Sequence, residues 1–170
     1  RRPPQSRSLP PLRTTDGDSG QPHGLSVGTD APAVPEQVVA VARGPLNVAT
    51  FLMGTTEFLM ALRTDPEPVA KLLTRIADFS VEWLQLQKEC FPSIEGVFIL
   101  DDIVGFLGDA DFRQSALPYL KRVFGCLDVP VRFFHNDAQG LVCAPYLAEI
   151  GVNLFNFAFE SPLMLGTIVG

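Results

Sequence analysis

Residues 96–102 read Gly-Val-Phe-Ile-Leu-Asp-Asp. An unbroken apolar run of strand length, ended by two carboxylates, predicts a buried parallel strand whose carboxyl end meets solvent or a ligand. Helical patterns flank it on both sides. Upstream, Asp65-Pro66-Glu67 predicts a helix start: a cap-type side chain, a proline in the first turn, and an acid near the positive end of the dipole. After it Val69, Leu72, Leu73, Ile76, Ser80, Trp83 and Leu84 recur every three or four residues, and this amphipathic helix should run to about Cys90, where Pro92 stops it. Trp83 is expected in the core. Downstream, a helix with Pro118 near its start is expected over about 117–126.

The same alternation extends outward. Val38–Ala42 predicts a strand that turns at Arg43-Gly44-Pro45. The stretch from Leu46 to Leu62 is apolar and helix-permissive, with Gly54 and Thr55-Thr56 able to break it in two. Val129 to Phe134 predicts a third strand, closed by His135-Asn136-Asp137. A helix near 141–150 should end at Gly151, and Val152 to Phe157 predicts a fourth strand. No two strands are joined by a hairpin turn, so the class is α/β with a parallel sheet. Four βα units are present, and an eight-unit barrel needs about 250 residues, so the chain is expected to be a fragment, roughly half of a (β/α)8 TIM barrel. A doubly wound open sheet is the alternative, but neither GxGxxG nor GxxxxGK[ST] follows any strand.

Composition bounds the remainder. The 170 residues carry 13 basic and 19 acidic side chains, a formal charge of −6, and are 46% hydrophobic. The acidic balance opposes sequence-independent nucleic-acid binding. No apolar run reaches the roughly 18 residues of a membrane span. Cys90, Cys126 and Cys143 form no CxxC pair, which suits a reducing, cytoplasmic setting. Residues 1–36 hold seven of the 15 prolines and none of the 16 aromatics, and read as a Pro/Gly-rich, disordered tail ahead of a domain at 37–170. His23 in that tail carries no argument.

In both architectures the chemistry sits at the carboxyl ends of the strands. The polar residues there are Arg43-Gly44, Asp101-Asp102, His135-Asn136-Asp137 and Asn156. Adjacent residues on an extended backbone face opposite ways, so only one of Asp101 and Asp102 should look into the mouth, as a ligand-anchoring carboxylate or metal ligand; helix capping is the competing role. His135 and Asp137, two apart, suit a divalent metal or a hydrogen-bonded pair that fixes the histidine tautomer. Cys143 is a conceivable third ligand, but it falls inside the predicted helix. Tyr119 and Tyr146 are expected to pack.

Taken in order, Gly44-Pro45-Leu46 with Gly54 behind it, Asp65-Pro66-Glu67, Asp101-Asp102 with Gly105, Phe112, Leu117-Pro118-Tyr119-Leu120-Lys121, His135, and the stretch from Leu147 to Asn153 resemble the middle of the uroporphyrinogen decarboxylase family over about residues 38–160. The resemblance implies a (β/α)8 barrel and two kinds of activity. One is a carboxy-lyase of porphyrin biosynthesis that decarboxylates the acetate side chains of a tetrapyrrole without a cofactor. The other is a zinc-dependent methyltransferase that moves a methyl group from a corrinoid protein to a thiol. An inactive truncated barrel is the third reading. Decarboxylases carry a tyrosine where Phe51 stands and a serine where Asp102 stands. The methyltransferases carry His-x-Cys where this chain has His135 and Asp137. Expected catalytic groups are therefore Asp101, Asp102 and His135; expected substrate contacts are Gly44, Phe51 and Asn156; expected zinc ligands are His135 and Asp137. The implied partners are a small-molecule substrate or a methyl donor, with neither nucleic acid nor membrane, and a homodimer is compatible with them.

Overall fold

The computed structural model describes residues 38–158. The tail expected over 1–36, His23 and the last dozen residues lie outside them. Four strands, β1 (Val38–Arg43), β2 (Ile94–Leu100), β3 (Val131–Asn136) and β4 (Leu154–Phe157), form one sheet in the order β1-β2-β3-β4. Every pair is parallel. Sequential strands side by side, the first three each followed by helical structure, are the arrangement of a barrel wall, not of a doubly wound sheet whose order reverses.

The helices are α1 (Pro45–Met53), α2 (Thr55–Thr64), α3 (Pro66–Cys90), α4 (Asp109–Ser115), α5 (Leu117–Phe124) and α6 (Leu147–Ile150). The expected break at Gly54 separates α1 from α2. Helix α3 follows its sequence pattern closely, burying Val69, Leu73, Ile76, Ala77, Ser80 and Leu84. It packs on β1, α1 and α5.

Strand alternation sorts the sheet into two faces. Ala40, Ala42, Val97, Ile99 and Phe134 are buried under the helices. Val41, Phe98, Phe133 and Leu154, which share a register row, point to the other face. There Val41 is 39% and Leu154 50% exposed, while the Phe98 and Phe133 rings meet at 4.7 Å between centroids.

Several expectations are corrected. Trp83 is not in the core; it is 45% exposed, and its indole N–H donates to the Val41 carbonyl on the open edge of β1. Asp65 makes no side-chain cap on α3: its φ of −139° and ψ of 59° turn the carboxylate to the Thr64 hydroxyl instead. The helix expected over 141–150 shrinks to a 3-10 turn at Ala144–Tyr146 and the four residues of α6. Pro145 supplies no amide donor and confines that chain to a turn. Helix α4 was not anticipated, although Gly108 followed by two acids in its first turn is a helix-start pattern. Strand β3 also runs two residues further than its apolar run, so His135 and Asn136 belong to it.

Candidate functional site

The last strand row before the carboxyl ends contains Arg43, Leu100, His135 and Asn156, in register across all four strands. This row faces away from the helices. One residue later the chain points toward them, and there stands Asp101, fully buried.

Asp101 does not reach the mouth. Its carboxylate accepts the backbone N–H of Leu46 at 2.9 Å and of Asn47 at 3.1 Å, which are donors left free at the start of α1. Helix capping, the competing role, is therefore what the geometry assigns it. Gly44 explains how the carboxylate comes so close: a Cβ there would lie 2.3 Å from the Asp101 Cβ. Its lack of a side chain serves this approach. Burial pushes the Asp101 carboxyl up to about 7, against the pull of the backbone donors from Leu46, Asn47 and Ile103.

Asp102 points the other way, as adjacent strand-end residues must. Its Oδ1 accepts the Asp137 N–H at 2.7 Å. Asn136 holds the same turn from inside, accepting the Ala138 N–H at 2.8 Å and donating to the Gln139 carbonyl at 3.0 Å. Pinned between them, Asp137 places Oδ2 3.1 Å from His135 Nε2. On the far side of the ring, Asn156 Nδ2 lies 2.9 Å from His135 Nδ1. One ligand atom each from Asp102, His135 and Asp137 lies within 4.8 Å of the others. A cleft of about 690 Å³ opens beside Asp137, lined by Phe106 and Gln139 among others.

Not every expected site residue joins this group. Phe51 is 68% exposed on α1 and sits under the Arg43 guanidinium, 5.9 Å from its centroid. Cys143 is buried away from the cluster, its Sγ donating to the Gly140 carbonyl at 3.2 Å. Tyr146 packs as expected, stacked on Phe112 at 5.2 Å, and Tyr119 is half-buried with its hydroxyl on the Ala70 carbonyl. The link from Asn156 to His135 and the bracing of the turn by Asn136 were missed. The parallel register that pairs residues 135 and 156 is the signal that would have found the first.

The sequence model of a protein family described as uroporphyrinogen decarboxylase (URO-D) matches residues 32–164. The chain belongs to this family. Similar relatives include the uroporphyrinogen decarboxylase of Desulfotalea psychrophila, 26% identical over 114 residues, covering 62% of this chain and 33% of the relative. That of Streptomyces coelicolor is 30% identical over 135 residues, covering 74% and 37%. The chain thus spans about a third of the length of the curated relatives it matches. A solved methyltransferase from Methanosarcina mazei shares the fold, with a TM-score of 0.57 and 19% identity over 68% of this chain and 34% of its own. The four strands and their helices are accordingly part of the URO-D family's TIM barrel, and the cluster lies on the face where such barrels place their active sites. Among the described residues, no helix is long and apolar enough to cross a membrane.

Proposed function

We propose that the chain supplies part of the active site of a metal-dependent, methyltransferase-like member of the uroporphyrinogen decarboxylase family. The observation that carries this reading is the convergence of Asp102, His135 and Asp137 at the strand ends, with their ligand atoms within 4.8 Å. An imidazole nitrogen and two carboxylate oxygens are donors that zinc accepts. Without a thiolate the set is harder than His-x-Cys, and it suits manganese as well as zinc. A divalent cation held there would lower the pKa of a bound thiol or water. The chain's own residues do the positioning: Asp102 fixes the Asp137 backbone, Asn136 braces the turn, and Asp137 and Asn156 hold the two edges of the His135 ring. The substrate on this reading is a small thiol, and the methyl donor is a corrinoid protein.

Metal content of the full-length protein, measured by mass spectrometry after dialysis against a mild chelator, tests the reading. One retained equivalent in the wild type, lost in His135→Ala and reduced in Asp137→Ala, is expected. A wild type without metal, or a His135→Ala variant that keeps its metal, would overturn it.

A cofactor-free carboxy-lyase acting on a tetrapyrrole is the second reading, and Arg43 favours it along with the names of the relatives. Among the described residues the Arg43 guanidinium has no carboxylate in ion-pair reach, and it lies on the mouth face over Phe51, open to an acidic substrate. Two features oppose it. Phe51 has no hydroxyl to donate, and the Asp102 carboxylate repels an acid unless a cation or proton neutralises it. On this reading, a full-length Phe51→Tyr, Asp102→Ser double variant should gain decarboxylation of uroporphyrinogen; no gain counts against it.

A further inference from the structure

We infer that Asn156 is the positioning residue that sets which ring nitrogen of His135 is open to the site, its carboxamide donating to Nδ1 in the cation-free site and accepting from Nδ1 when Nε2 faces a cation. The inference deepens the metal-dependent reading and rests on it for its second half only.

His135 and Asn156 are directly opposed on β3 and β4, so both side chains leave the sheet on the same face at the same height. No rotation of the histidine ring is needed for Nδ1 to meet the amide, and the two stand 2.9 Å apart. With the Asn156 NH2 toward it, Nδ1 must be the accepting nitrogen, and the ring proton is on Nε2. That proton has a partner ready, because Asp137 Oδ2 lies 3.1 Å from Nε2. The metal-free site is therefore internally consistent: donor to acceptor on each side of the ring.

A cation changes what Nε2 must be. To ligate, Nε2 needs its lone pair, so its proton leaves to solvent and Nδ1 takes one up, with no net change in bound protons. Nδ1–H then needs an acceptor. Rotating the Asn156 amide by half a turn brings Oδ1 to where Nδ2 was, at the same distance and without moving the backbone. A carboxamide is suited to this because it offers a donor and an acceptor of similar size. An aspartate in its place offers only the acceptor, and an alanine offers neither. Asn156 is exposed, so neither substitution empties the core.

The experiment uses the full-length protein labelled with 15N on histidine. Ring correlation spectra of the metal-free wild type, with His135→Gln for assignment, should show the Nε2–H tautomer at His135. Asn156→Asp should place a proton on Nδ1, and Asn156→Ala, which leaves Asp137 on Nε2, should keep the Nε2–H ring with no partner on Nδ1. Zinc titration should then find affinity lowered about ten-fold or more in Asn156→Ala, the usual cost of losing a histidine's outer partner, and restored in Asn156→Asp. A merely structural residue would move the melting temperature and leave the tautomer alone. The inference is overturned if Nδ1 of His135 stays unprotonated in Asn156→Asp. Should the wild type take up no zinc, the metal reading falls by itself, and the spectra still decide whether Asn156 sets the ring.

Discussion

Two adjacent aspartates at the end of one strand serve opposite sides of the sheet. Asp101 turns into the helix layer and caps α1, and Asp102 turns out to the mouth and holds the Asp137 backbone. Burial with this particular set of donors has a pH consequence. The Asp101 carboxyl is raised from 3.8 to about 7 in the folded state. Below pH 4 it is protonated both folded and unfolded, and its contribution to stability is fully present. Between pH 4 and 7 the unfolded chain ionises first, so stability falls as pH rises, and above 7 it levels off. Three units correspond to at most about 4 kcal/mol. Urea unfolding of wild type and Asp101→Asn across pH 4–8 should show this decline in the wild type only; parallel curves would mean that Asp101 ionises freely in place. The alternation that separates these two carboxylates was legible in the sequence. Which of them faced inward was not, because that depends on Gly44 leaving room for Asp101 across the neighbouring strand.

Elements whose apolar pattern was long came through intact, and short ones with polar interruptions did not. Helix α3 has 25 residues and six buried positions on one face, so its period dominates any local signal. The segment from 137 to 150 has no such stripe. Its conformation is set by Pro145 and by side-chain bonds from Asn136, both of which override weak helical propensity. The stop at Gly151 was legible for a single stereochemical reason. Its φ is +86°, a region that a Cβ makes costly, and it ends α6 just before β4 brings Asn156 to the site. A Cβ at this position would meet nothing closer than the Arg132 side chain at 3.8 Å, so crowding adds nothing to the backbone cost. Gly151→Ala should therefore lower unfolding free energy by about 1–2 kcal/mol, and Gly151→Asn by less, with metal content unchanged. A loss of metal in Gly151→Ala would show that the turn also fixes where Asn156 stands.

At the scale of the whole molecule, the open face of the sheet is the feature that membership of the uroporphyrinogen decarboxylase family explains. The helix side is a closed core, in which Phe58, Phe112, Phe124 and Phe134 are fully buried. The opposite side presents Val39, Val41, Phe98, Phe133 and Leu154 around the row that carries His135. A barrel fills that face with side chains from the other strands, and the chain spans about a third of its relatives' length. Among the described residues, the edge of β1 is guarded only at Val41, whose N–H is accepted by Gln87 and whose carbonyl takes the Gln87 and Trp83 donors. One residue's worth of edge protection does not hide an apolar face. Residues 38–158 expressed alone should therefore bind the dye ANS strongly and sediment as oligomers, whereas the full-length protein should do neither through this face. Adding charge to the face, as in Leu154→Lys, should suppress association of the isolated piece and disrupt the full-length protein, because the same side chain is surface in one and interior in the other. If the isolated piece stays monomeric and silent to the dye, the face is self-sufficient, and the remaining barrel strands are not what covers it.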